Sequence, residues 1–302
     1  MKTTTIIYGV ALALLGLVVK THAQYSYPTF NVPGASFTWA EGISGNYIVG
    51  YSGKVGQASY NAFLYNISSQ TFSTLNDPGA SETVAMGISG NDIVGYTSTE
   101  GFLYDMNTQT YVNFAVPGAT DTLPASISGN NIVGHAYFES SGYQGFLYNT
   151  TSQTFTILSA PGATLTWATG VSGNNIVGYD DNGPGYGFLY NLASQTYSPL
   201  SVPGASQTWA LGVSGNNTVG YYHVTGSGDG GFLYNGSSYT TINVPGAGVG
   251  STEATGIDGN NFIGTYYNGS ETVSFLALPV PEPSTLGLLA VGTGAFFLRR
   301  RK

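Results

Sequence analysis

Tyr27-Pro-Thr-Phe-Asn-Val-Pro-Gly-Ala35 repeats Tyr239-Thr-Thr-Ile-Asn-Val-Pro-Gly-Ala247 at seven of nine positions. The later copy closes one sequence repeat and opens the next, whereas the earlier one has no repeat before it. At the opposite end of the domain the sixth repeat reaches Phe275-Leu-Ala-Leu278 and stops at Pro279, one strand short. A strand without a repeat and a repeat without its last strand predict a ring that closes on itself and leaves no open sheet edge. A linear solenoid is the alternative, but it gains nothing from this complementarity.

Between these segments Pro-Gly-Ala recurs at Pro33, Pro78, Pro117, Pro161, Pro203 and Pro245, spaced by 39 to 45 residues. Each copy leads into a segment like Thr166-Trp-Ala-Thr-Gly-Val-Ser172, a Gly-Asn turn, Ile176-Val-Gly-Tyr179, a variable loop, Gly187-Phe-Leu-Tyr-Asn191 and Gln195-Thr-Tyr-Ser-Pro-Leu200. That pattern predicts four strands per repeat. The Gly-Asn pairs, from Gly45-Asn46 to Gly259-Asn260, tolerate the positive φ of tight hairpins. The Phe-Leu-Tyr strands are apolar on successive residues and so should be buried on both faces. Blades of about 40 to 45 residues stacked around an axis meet that demand. The expected fold is therefore all-β, a six-bladed propeller of four-stranded repeats closed by an N-terminal strand.

The chain has 44 Gly, 23 Tyr and 15 Phe but only 7% charged residues, a composition suited to many short strands. Its formal net charge is −8, and six of its seven cations lie in the end segments, leaving Lys54 between them. Nucleic acid and acidic membrane surfaces are poor partners for such a domain. With no cysteine, disulfides and thiolate zinc sites are excluded.

Residues 1–23 read as a signal peptide: Lys2, an apolar stretch from Ile6 to Val19, and small residues around Thr21-His-Ala23. Signal peptidase is then expected to cut before Gln24, because the stretch is short for a spanning helix. Residues 24–279 form the repeat domain and 280–302 a tail. The tail runs Val280-Pro-Glu-Pro-Ser284, an apolar Thr285–Leu298 and Arg299-Arg-Arg-Lys302. An apolar helix of about 15 residues spans roughly 22 Å, a marginal transmembrane helix with its basic end cytoplasmic.

Pro281, Glu282 and Pro283, the apolar run, and Arg299, Arg300 and Arg301 resemble, in that order, the PEP-CTERM sorting signal of bacteria that make exopolysaccharide. The resemblance implies an exosortase-type membrane protease as partner, transient insertion of the tail, and delivery to the cell envelope, surface or matrix. A plain membrane anchor is the alternative. The repeats resemble extracellular HAF-type repeats, best at Asn61-Ala-Phe-Leu-Tyr65, although the histidine that names them is absent from all six copies. That resemblance implies an extracellular setting and no settled activity.

In a four-stranded meander the Pro-Gly-Ala loops and the variable loops emerge on one face, which is the expected binding face. One repeat position near its centre reads Trp39, Val84, Leu123, Trp167, Trp209 and Glu253. Trp39, Trp167 and Trp209, with Tyr137, Tyr143, Tyr186 and His223 around them, are candidates to stack on and hydrogen-bond sugar rings. Packing between blades is the competing reading for the tryptophans. Asp180-Asp-Asn-Gly183 offers oxygen ligands without EF-hand spacing, and a turn explains it as well. His135 and His223 are read as early residues of two separate variable loops, a weak metal or acid–base signal. No metal, no cofactor and no catalytic residue is assigned. Exopolysaccharide binding without catalysis is the leading expectation. A glycosidase or lyase using channel carboxylates such as Glu41 and Glu253 is the alternative, and an inert spacer is a third. The scarcity of cations counts against a lyase, whose developing enolate needs a positive group.

Overall fold

The computed structural model describes residues 24–57, 59–182, 186–248 and 250–280, and its compact unit is Ser26–Pro279. The expected signal peptide, the Pro281-Glu-Pro283 element, the tail helix and Arg299–Arg301 lie outside the described residues.

Each repeat folds into one antiparallel sheet whose strands run in chain order from the axis outward. We call these strands A to D. The A strands are Phe37–Ser44, Val84–Ser89, Asp121–Ser128, Thr166–Ser172, Gln207–Ser214 and Thr252–Asp258. The B strands are Tyr47–Gly53, Asp92–Tyr96, Asn131–Phe138, Asn175–Asp180, Asn217–Val224 and Asn261–Tyr267. The C strands are Asn61–Asn66, Gly101–Asp105, Gly142–Asn149, Tyr186–Asn191, Gly228–Tyr234 and Thr272–Pro279. The D strands of the first five blades are Thr71–Leu75, Thr110–Phe114, Thr154–Leu158, Thr196–Leu200 and Tyr239–Ile242. Blades one to five each contain four strands. The sixth takes its outer strand from the N-terminus: Thr29 pairs with Phe275, Phe30 with Ser274, and the Leu276 amide donates to the Pro28 carbonyl at 2.9 Å. The ring closes as the seam in the sequence predicts, and the domain is an all-β six-bladed propeller.

Successive residues of the C strands face opposite blade interfaces, which explains their unbroken apolarity. Phe63 and Tyr65 pack with Ile263 and Leu276 of blade six, while Leu64 packs towards Ile88 and Phe102 of blade two. Phe102, Phe146, Phe232 and Phe275, each the Phe of its C strand, are among the largest fully buried side chains.

Two hydrogen-bond systems repeat around the ring. Thr38, Thr83, Thr122, Thr166 and Thr208 each accept, at 2.9–3.1 Å, from the amide six residues earlier, pinning the Pro-Gly-Ala loop onto the A strand. On the opposite face the glycine of every Gly-Asn turn takes left-handed backbone, with φ of 55–61°. Its amide donates to the blade before: Gly90 to Ser44, Gly129 to Ser89, Gly173 to Ser128, Gly215 to Ser172 and Gly259 to Ser214. Across the seam Gly45 donates to Asp258 Oδ2 at 2.7 Å, so the system is circular.

Every A strand carries a bulge at the same place, between Ala40 and Gly42 in blade one and between Ala168 and Gly170 in blade four. The bulge pushes a carbonyl towards the neighbouring B strand. This explains the glycine of each Ile-Val-Gly segment: a Cβ on Gly178 would overlap the Trp167 carbonyl and the Phe188 ring. Gly178→Ala is therefore expected to cost about 3 kcal/mol through overpacking, measurable as a fall in the urea midpoint at unchanged slope.

Candidate functional site

The face that carries the Pro-Gly-Ala and B–C loops has the channel mouth at its centre. Trp39, Val84, Leu123, Trp167, Trp209 and Glu253 ring it at equivalent positions. Their cross-strand partners are Tyr51, Tyr96, His135, Tyr179, Tyr221 and Thr265. The three tryptophans are used differently. Trp167 lies nearly parallel to Tyr179, 5.0 Å away at 19°, and Trp209 to Tyr221, 4.5 Å away at 18°. Those indoles spend a ring face on a cross-strand neighbour within their own blade, and not on the next blade. Trp39 meets Tyr51 at 47° and Phe37 edge-on at 69°, and keeps 40% of its surface exposed.

Trp39, Phe37, Tyr51, Tyr60 and Thr272 enclose a hollow of about 290 Å³. Its walls come from the A and B strands of blade one, the loop after that B strand, and the C strand of blade six. Tyr60 is also 40% exposed, and its amide donates to Glu82 Oε1 at 3.3 Å. Phe37 and Thr272 drew no attention in the sequence, because Thr272 reaches the hollow only across the closed seam.

The remaining candidate residues fall into three other neighbourhoods. Tyr137, Tyr143 and Trp167 form a chain of rings 5.1 and 6.0 Å apart, with His135 edge-on to Tyr143. Tyr186, 41% exposed, lines a separate hollow of about 240 Å³ with Asp180, Phe188 and Tyr197. His223 Nδ1 lies 2.6 Å from Asp229 Oδ1, both half-exposed. The two histidines belong to B strands, Asn131–Phe138 and Asn217–Val224, where the sequence reading had placed them in loops. Both B strands are eight residues long, against five to seven in the other blades. His135 is enclosed, its Nδ1 has no hydrogen-bond partner, and burial holds its pKa down at about 4.

The Asp180–Asn182 segment is tied into the protein. Asp181 Oδ1 accepts from the Thr164 and Leu165 amides at 2.8 and 2.7 Å, and Asp180 Oδ1 from the Asn182 amide at 2.8 Å. Among the described residues no three acidic, histidine or cysteine side chains gather in a way that would hold a metal.

Below the mouth the bulge residues Glu41, Met86, Ala125, Thr169, Leu211 and Thr255 line the central channel, around a cavity of about 70 Å³. Thr169 and Thr255 hydroxyls donate to the Ala210 and Ala40 carbonyls of the next blades at 2.7 and 2.6 Å. Glu41 keeps a little surface along the channel, yet loss of solvent raises its carboxyl to about 8, with repulsion from Glu253 adding to it. Burial raises Glu253 as well, with Asp229 contributing. The same carboxylates act on the mouth tyrosines: burial first, then Glu41 and Glu253, raise Tyr51, and burial with Glu41 and Glu82 raises Tyr96 to about 12. The mouth is thus aromatic and acidic.

Residues 279–302 match the PEP-CTERM protein-sorting motif. The motif implies recognition by exosortase, a membrane protein, and export to the cell envelope or surface. No curated protein matches the chain in sequence. Among solved structures the propeller is similar to TolB from Acinetobacter baumannii, with TM-score 0.52 at 14% identity over 73% of this chain. This chain spans 60% of that one. It is also similar to the β-propeller domain of the trilobed protease from Pyrococcus furiosus, a domain with an open velcro topology. There the TM-score is 0.53 at 11% identity, over 82% of this chain and 86% of that one. Identities this low speak for the fold alone.

Proposed function

We propose that this PEP-CTERM protein is a non-catalytic component of the cell surface or extracellular matrix whose propeller binds exopolysaccharide. The observation that carries the reading is the hollow at Trp39. An exposed indole, with phenol groups and a threonine hydroxyl beside it, matches the apolar faces and hydroxyl rims of pyranose rings. Similarity of the repeats to HAF-type repeats supports the extracellular setting. In this reading residues 1–23 are removed by signal peptidase and residues 280–302 are inserted briefly and then processed. The propeller, residues 24–279, is what acts outside.

A glycosidase using Glu41 and Glu253 is the second reading, because Glu253, on the neighbouring blade, lies near enough to help raise the Glu41 carboxyl. Acid–base pairs work best when their environments push the two groups apart, and here both are raised. The test is co-sedimentation with exopolysaccharide from the producing cells, with reducing ends followed in parallel. Binding without new ends is expected, and Trp39→Ala with Tyr60→Ala is expected to weaken it at least tenfold. New ends that disappear in Glu253→Gln would install the enzyme reading instead.

A further inference from the structure

The Trp39 hollow also carries information on charge. Glu82 stands beside it, accepting from the Tyr60 amide at 3.3 Å, in a domain whose described residues hold 14 Asp and Glu against one Lys. No basic side chain lines the hollow. Lys54, the only lysine or arginine among the described residues, lines a different depression with Val32, Pro33 and Gly34. Carboxylates accept hydrogen bonds from sugar hydroxyls and repel uronates, sulfates and phosphates. Repulsion between like charges at such a site is an effective means of rejection. At about 290 Å³ the hollow sits at the small end of ligand pockets, which run from roughly 300 Å³ upward. It has room for a short stretch of chain held by its ring faces.

We infer that the hollow formed by Phe37, Trp39, Tyr51, Tyr60 and Thr272 is a subsite for uncharged pyranose chains, and that the Glu82 carboxylate beside it, in a domain rich in acids and nearly free of cations, disfavours acidic polysaccharides there. The inference rests on the proposed polysaccharide-binding function and narrows its ligand to one chemical class. Because Thr272 comes from the last blade and the aromatic rings from the first, the subsite exists only in the closed ring.

The test titrates the full-length protein with cellohexaose and laminarihexaose as neutral probes and with a galacturonate hexamer as the acidic one. Tryptophan fluorescence and calorimetry give the affinities, at low and at high salt. At least one neutral hexamer is expected to bind, and the galacturonate at least tenfold more weakly, with the gap shrinking in high salt as repulsion is screened. Trp39→Ala is expected to abolish neutral binding, whereas Trp209→Ala, whose indole is stacked on Tyr221, leaves it within about twofold and controls for folding. Replacing Glu82 by Gln is expected to narrow the gap. Equal or tighter binding of galacturonate would overturn the inference and leave polysaccharide binding standing. Neutral binding that survives Trp39→Ala would overturn the assignment of the site. If neither these hexamers nor native exopolysaccharide binds, both readings fall.

Discussion

Removing residues 25–32 is expected to cost about 5 kcal/mol and to raise the protein's tendency to associate through the bared strand. The segment contributes the pairs Thr29–Phe275 and Phe30–Ser274, the Pro28 carbonyl to Leu276, and the Val32 amide to Thr38. Phe30 lies flat on Tyr65, 4.8 Å away at 4°, and Tyr27 packs edge-on against Phe275 at 5.8 Å. Full burial of such a side chain is worth about 1.5–3 kcal/mol, so the half-buried Tyr27 and Phe30 give about 1 kcal/mol each, and each hydrogen bond of the segment adds about 1 kcal/mol. Together they approach the whole stability of an ordinary domain. The truncation also uncovers strand Thr272–Pro279, whose unpaired edge is a template for another chain. Denaturant unfolding and light scattering test both expectations. Phe30→Ala alone should lose about 2 kcal/mol and leave the light-scattering mass of the intact protein unchanged. A truncated chain with an unchanged midpoint and mass would mean that the seam does not hold the ring.

The second large effect is on pH. Glu41 has a folded pKa of about 8 against a usual 4.5, so between these values the folded protein holds a proton that the unfolded chain releases. Stability present below pH 4.5 is thus lost as pH rises towards 8. His135 has the opposite sign. Its folded pKa of about 4 lies below the usual 6.5, so its stabilising contribution is present above pH 6.5 and is lost as pH falls towards 4. From pH 4.5 to 6.5 the two slopes cancel, which predicts a plateau. Above pH 6.5 His135 no longer offsets Glu41, whose own contribution falls by about 2 kcal/mol by pH 8. Glu253, Asp92 and Asp180 are raised by burial too and act in the same direction as Glu41, so they tilt the plateau gently downward as pH rises. Urea midpoints measured from pH 4 to 9 should show the plateau and the alkaline fall. Glu41→Gln should flatten the fall. His135→Tyr, which installs the residue found at this position in blades one, two, four and five, should extend the rise below pH 6.5. An unchanged alkaline fall in Glu41→Gln would remove the channel carboxyl as its cause.

The architecture was readable because a propeller repeats its physics. Six Pro-Gly-Ala loops, six Gly-Asn turns and a displaced fourth strand can be counted without knowing any contact. The repeat alignment also put Glu253 at the tryptophan position, where the structure has it. What could not be read depends on single-residue geometry or on closure. Glu41 is expected at the channel from the sequence, but the bulge between Ala40 and Gly42 that turns it there is not, because a one-residue irregularity leaves no trace in hydrophobic pattern. The length of the hairpins that absorb His135 and His223 is set by pairing with the following strand, not by their own residues. Most directly, Trp39 has the same local sequence setting as Trp167 and Trp209. Its difference comes from Tyr60 in a loop and Thr272 some 230 residues later. The threonine six residues after each anchored amide was visible as a repeat, but its role was not.

The hydrogen bonds that run from each turn to the blade before it have no beginning, since the Asp258–Gly45 link completes the circle. Geometrically, then, the molecule has a rotational axis but no first blade. The seam matters for cohesion, yet its location among the six sheets is arbitrary, and a circularly permuted chain with new ends in another C–D turn could preserve the same set of links. Place in the ring and place in the chain are separate variables. The six mouth positions can therefore diverge one blade at a time, as Trp39, Val84, Leu123, Trp167, Trp209 and Glu253 have done, while the frame that presents them stays the same.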